Sequence, residues 1–105
     1  AVMKYEFLVR DFPRDYQARI GLGRAMYGLI VHKGNTEYDK TVYVLKEAAG
    51  LAPGEAEPDY LIGNIYLEYK NYPDLAREHY NKAMGKARDK VMRKKIREAL
   101  AGARP

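Results

Sequence analysis

Thr36, Thr41, His32 and His79 are the side chains from which this 105-residue sequence would have to build any nucleophilic or acid–base reaction. The chain contains neither Ser nor Cys, so the usual hydroxyl and thiol nucleophiles are missing. Each candidate has a simpler reading. Thr36 and Asp39 fit a capping box at a helix start, with Asp in place of Glu. Thr41 fits a small packing position. His32 and His79 stand alone, without the His-Glu-x-x-His spacing of a zinc-binding helix, and read as surface or supporting histidines. Gly21-x-Gly23 with Gly28 is no dinucleotide fingerprint, because the third glycine is misplaced and no strand precedes it. Asp11 with Asp15, and Glu55 with Glu57 and Asp59, read as helix caps and first-turn charges. Without cysteine there is no disulfide framework and no thiolate metal site. The expectation is a non-enzyme with no catalytic residue, no metal and no cofactor.

Charge is the stronger chemical signal. Nine of the 19 lysines and arginines lie from Lys82 onward, against two of the 14 carboxylates. The last segment is therefore strongly basic and the body mildly acidic. Arg88, Arg93, Lys94 and Arg97 form a candidate basic patch for nucleic acid or another polyanion. Val91, Met92, Ile96 and Leu100 give the same segment an apolar side that needs cover. The expected state is thus a capping helix with a solvated basic outer face, and nucleic acid is not the expected partner. No apolar run approaches the roughly 18 to 20 residues of a membrane span. Charges interrupt the N-terminal residues too early for a signal peptide. A soluble, cytoplasmic protein is favoured, with the compartment left open because a leader removed upstream would leave no trace.

The elements that must position these residues are all helical, and no segment sustains the period-two alternation of a strand. Val2, Tyr5, Leu8 and Val9 share one face of a first helix that ends at Asp11-Phe12-Pro13. Asp15 caps a second helix from Tyr16 to His32, which buries Ala18, Leu22, Ala25, Met26, Leu29 and Ile30. Its glycines Gly21, Gly23 and Gly28 each cost about 1 kcal/mol against Ala, which close helix contacts would offset. Lys33-Gly34-Asn35 stops it. A third helix runs from Glu37 to Ala49 with Tyr38, Thr41, Val42, Leu45, Ala48 and Ala49 inward, and Gly50 is its expected left-handed cap. After the turn-rich connector Pro53 to Pro58, with Pro58 at the first helical position, two helices form a hairpin around Lys70 to Pro73. One buries Leu61, Ile62, Ile65, Tyr66 and Tyr69, the other Ala76, Tyr80, Ala83 and Ala87. Beyond Ala83 the helix either runs on or bends near Gly85 to Asp89 into a sixth.

Displaced by 35 residues, the sequence places Gly28 on Gly63, Ile30 on Ile65, Leu45 on Tyr80 and Ala48 on Ala83, a pattern of stacked repeats. Ile62-Gly63, Tyr66, Ala76-x3-Tyr80 and Ala83 follow the tetratricopeptide motif. So do Leu22-Gly23, Met26, Thr41-x3-Leu45, Ala48 and Pro53, and more briefly Ala1-x3-Tyr5, Leu8 and Pro13. The chain resembles that family. Arg19 and Asp59 occupy the place of its Trp, with Tyr60 one position along. The first unit carries five extra residues, so either Gly23 or Gly28 matches Gly63. Arg88 replaces the closing proline.

The resemblance implies an all-α fold of antiparallel helical hairpins stacked as a short right-handed α-solenoid with a C-terminal capping helix. Residues 1–13 would be the second helix of a partial repeat and 14–53 a lengthened full repeat. Residues 54–87 would be a second repeat, and 88–105 a basic capping helix or helix extension. The partial opening unit implies a fragment of a longer array. The first helices of such repeats line a concave surface, which here would carry Arg24, Tyr27, Tyr60 and Asn64. Asn64 follows Gly63, where peptide-binding members of the family carry an asparagine. The implied function is a non-catalytic protein- or peptide-binding scaffold, with self-association through the uncovered face of the first helix. The alternative is an electrostatic adaptor for polyanions.

Overall fold

The computed structural model describes residues 1–103; positions 104 and 105, the end of the expected basic segment, lie outside the described residues. Among these the chain is all-α, with six helices and no strand. It divides into two units, Ala1–Pro53 and Gly54–Pro105.

The first unit holds α1 (Val2–Asp11), α2 (Tyr16–Lys33) and α3 (Tyr38–Leu51). Asp15 caps α2 as its residue type predicts, its carboxylate accepting from the Ala18 amide at 3.2 Å. Helix α2 packs against both α1 and α3, so its apolar residues are not confined to one stripe, and Ile20 is buried along with Ala18, Leu22 and Met26. The glycines permit this double contact. A β-carbon on Gly21 would overlap the Tyr5 ring of α1, and one on Gly23 would stand 2.5 Å from Leu45 Cδ2 of α3. Gly28 has nothing within 4 Å. Of the two glycines the sequence aligns with Gly63, only Gly23 is a close helix contact. Arg19 adds a polar tie, pairing with Glu47 of α3 at 2.5 Å and donating to the Pro13 carbonyl.

Several local expectations are corrected. Gly50 lies inside α3, which continues to Leu51 and stops at Ala52, where the following Pro53 disfavours helical backbone. The left-handed glycine cap is instead Gly34, at φ 70°, with its amide turned back to the Leu29 carbonyl. Thr36 forms no capping box: α3 has no side-chain cap bond, and Asn35 Oδ1 accepts from the Glu37 amide. Leu29 is 37% exposed rather than buried: it follows Leu22 and Met26 along one face, but toward the end of α2, where it borders a cleft with Val2 and Val44. The face of α1 expected to be open is covered in part. Val2, Tyr5 and Val9 pack onto Leu22, Met26 and Val44, and the exposed apolar side chains are Met3, Phe7 and Phe12.

The second unit holds α4 (Glu57–Glu68), α5 (Pro73–Lys86) and α6 (Lys90–Gly102). Pro58 is the second residue of α4 rather than the first, still within the turn whose amides lack helical partners. Asn71, at φ 57°, reverses the chain between α4 and α5. The two helices then pack antiparallel, with residue 59 opposite 86 and residue 64 opposite 80. At the crossing Gly63 meets the ring of Tyr80, which is completely buried. Ala76 and Ala83 are also fully buried on α5.

The helical period breaks at Ala87, and Asp89 caps a separate α6 by accepting from the Met92 amide at 3.2 Å. Ile96, Ala103, Met92 and Leu100 turn toward the core with Tyr80 and Ala83. Two arginines fasten α6 to α5. Arg93 donates to the carbonyl of Ala87 at 3.0 Å, and Arg77 of α5 donates to the carbonyl of Ala103. Each satisfies a helix-terminal acceptor.

The glycine contacts generate a paired test. Gly63→Ala should destabilise by about 1–3 kcal/mol, because the added methyl displaces a buried ring. Gly28→Ala should stabilise by up to ~1 kcal/mol, because it only removes backbone entropy from the unfolded chain. Urea unfolding midpoints measure both, and equal midpoints for the two variants would contradict the packing.

Candidate functional site

The polar side chains of the second unit converge on the buried seam between α4 and α5. Antiparallel packing about Gly63 brings Asp59, one turn earlier on α4, opposite His79 and Lys86 of α5. Asp59 is 3% exposed and His79 7%. Asp59 Oδ1 accepts from His79 Nδ1 at 3.0 Å, and Oδ2 accepts from Lys86 Nζ at 2.6 Å. A carboxylate can only accept, so His79 carries its proton on Nδ1 here. The His79 ring centre lies 5.6 Å from that of Tyr66. Burial alone pushes the Asp59 carboxyl up. The hydrogen bonds from His79 and Lys86, with their charges, outweigh it and hold the group below the ordinary carboxylate value.

One turn along the same seam, Tyr80 Oη donates to Asn64 Oδ1 at 2.6 Å. The Tyr60 ring lies 6.1 Å from that of Tyr80. Tyr80 therefore joins the two expected groove residues of this unit, Tyr60 and Asn64. Asn64 is 8% exposed, with its carbonyl oxygen engaged by Tyr80. The other two expected groove residues lie on α2, Arg24 exposed and Tyr27 half-buried.

An aspartate that orients a histidine is half of a catalytic relay, which also needs a nucleophile within reach of the other ring nitrogen. The two threonines lie in the first unit, where Thr41 Oγ1 donates to the Glu37 carbonyl at 2.9 Å. What the arrangement shows is a polar tie between α4 and α5, with both carboxylate oxygens of Asp59 engaged from the opposite helix. Lys86 also borders an open cleft of about 520 Å³ that Glu57, Arg88 and Asp89 help to line. Among the described residues no group of three or more His, Asp or Glu side chains could hold a metal ion. No helix there is long and apolar enough to cross a membrane.

Sequence reasoning treated Asp59 as a first-turn charge and His79 as a surface or supporting residue. The missing signal was register: with Gly63 set against Tyr80, Asp59 must face the stretch from His79 to Lys86. The basic patch divides. Arg88, Lys94 and Arg97 are exposed, whereas Arg93 is half-buried and tied to the end of α5.

No protein-family model matches the chain, and no curated protein matches it.

The lowered Asp59 carboxyl sets a pH dependence. Its contribution to stability is complete above the unfolded value near ~3.9 and is lost as pH falls through the lower folded value. Asp59→Asn should be less stable than the parent at about pH 6, and the difference should shrink toward pH 2. Urea unfolding across that range checks this; a gap independent of pH would contradict the paired carboxylate.

Proposed function

We propose that this chain is a non-catalytic, protein- or peptide-binding module of the tetratricopeptide type. One observation carries the reading: the same contact is built twice. Gly23 of α2 receives Leu45 of α3, and Gly63 of α4 receives Tyr80 of α5. These are the small and large positions of the repeat motif in each hairpin, at corresponding places. Repeats of this kind present their first helices to ligands. On this reading Arg24 and Tyr27 of α2 are the recognition residues of the first unit, and Tyr60 and Asn64 of α4 those of the second. Exposed and half-buried Arg and Tyr side chains suit such a role, because they give large contact area with few rotamers to freeze.

Selection from a random peptide library displayed on phage tests this reading with the intact chain. Peptides enriched on the parent should bind Arg24→Glu about tenfold more weakly, or ~1.4 kcal/mol. The unfolding midpoint of Arg24→Glu, measured alongside, separates lost recognition from lost stability. Enriched peptides that bind Arg24→Glu as tightly as the parent would remove α2 from the recognition surface.

A further inference from the structure

The cations of the second unit sort into two classes. Every described Lys or Arg of this unit up to Lys86 is engaged. Lys70 lies over the Tyr72 ring, Arg77 holds Asp74 and the Ala103 carbonyl, Lys82 pairs with Glu78, and Lys86 with Asp59. Beyond Ala87 the pattern reverses. Among the described residues there, Arg93 alone is tied down. Arg88, Lys90, Lys94, Lys95 and Arg97 are exposed, and no hydrogen bond or ion pair holds them among the described residues.

Three of these five, Lys90, Lys94 and Arg97, follow helical spacing along one stripe of α6, roughly 10 Å long at 1.5 Å per residue. Arg88 is exposed in the link that precedes the helix. Glu98, one turn after Lys94, is the one carboxylate on this exposed side of α6 among the described residues, and the helix is held against rolling. Ile96 is fully buried, and the carbonyls at Ala87 and Ala103 are clamped by Arg93 and Arg77. Asp89 is occupied as the cap of α6. The result is a row of three exposed cations on α6, with Arg88 exposed ahead of it.

We infer that the outer face of α6, through Arg88, Lys90, Lys94 and Arg97, docks on the phosphate backbone of double-helical nucleic acid without reading its sequence. The chemistry of the stripe favours that occupant over other polyanions. A membrane-bound amphipathic helix inserts its apolar side, but here that side is packed on the core with Tyr80 and Ala83. Single strands are held by stacking on aromatic rings, and no aromatic residue follows Tyr80 in the sequence. A regular row of phosphates needs only regularly spaced cations. One duplex strand offers a phosphate about every 3.4 Å along the axis, so the stripe spans about three.

Fluorescence anisotropy with a labelled 16-base-pair DNA duplex of mixed sequence tests the inference on the full chain. The parent should bind with a dissociation constant of order 10⁻⁴–10⁻⁶ M. Its affinity should fall with salt at a log–log slope of about −3.6, as expected for four neutralised phosphates. The triple variant Lys90→Gln, Lys94→Gln, Arg97→Gln should reduce that slope to about −1. It should keep the parent's helical circular dichroism, because all three side chains are exposed. A control triple in the first unit, Lys33→Gln, Lys40→Gln, Lys46→Gln, removes the same charge and should bind within about threefold of the parent. Equal loss in both triples would overturn the inference, since net charge would then explain binding. So would phosphatidylserine vesicles or polyglutamate bound more tightly than the duplex at equal salt.

Discussion

The close approach of α4 and α5 at Gly63 is the constraint on which the second unit depends. A buried tyrosine ring occupies the space where any other residue would place its β-carbon. That contact fixes both separation and register, because a shift of one turn would set a side chain against the ring. The polar contacts of the hairpin follow from this register. Asn64 stands beside the Tyr80 hydroxyl, and Asp59 stands between His79 and Lys86. Each polar group is buried because its neighbours on the helix are, and each is tolerated because the opposite helix supplies a partner at the right height.

The first unit uses the same device on a helix with two neighbours. Gly21 accommodates Tyr5 and Gly23 accommodates Leu45, so α2 is approached from α1 and from α3. A helix so placed needs apolar residues on more than one stripe, which explains why Ile20 is buried along with Leu22 and Met26.

Helix α6 is held by a different principle. Its apolar residues are few, but both terminal carbonyl groups near its junctions receive an arginine. Charge-assisted bonds to otherwise unsatisfied acceptors are stronger than neutral ones. The apolar side and these two clamps fix which way the helix faces. Lys90, Lys94 and Arg97 then share an exposed side, and a basic composition becomes a directed surface.

Much of the fold was legible in the sequence. Period, proline and cap chemistry act over three or four residues, so Asp15, Pro13, Pro73 and the Gly34 region marked helix ends without knowledge of distant contacts. The alternation of Gly63 with Tyr80 announced a close helix pair for the same reason. Tertiary structure decided what depends on distance across the chain. Gly50 stayed helical because the stop lay three residues later at Pro53. The roles of Asp59, His79 and Lys86 were hidden because 20 and 27 residues separate the partners. Nothing local distinguishes a buried, paired aspartate from a first-turn charge. The same holds for the cations. Arg93 and Arg97 are alike in sequence, and only the geometry of α6 on α5 engages one with backbone carbonyls and leaves the other to solvent.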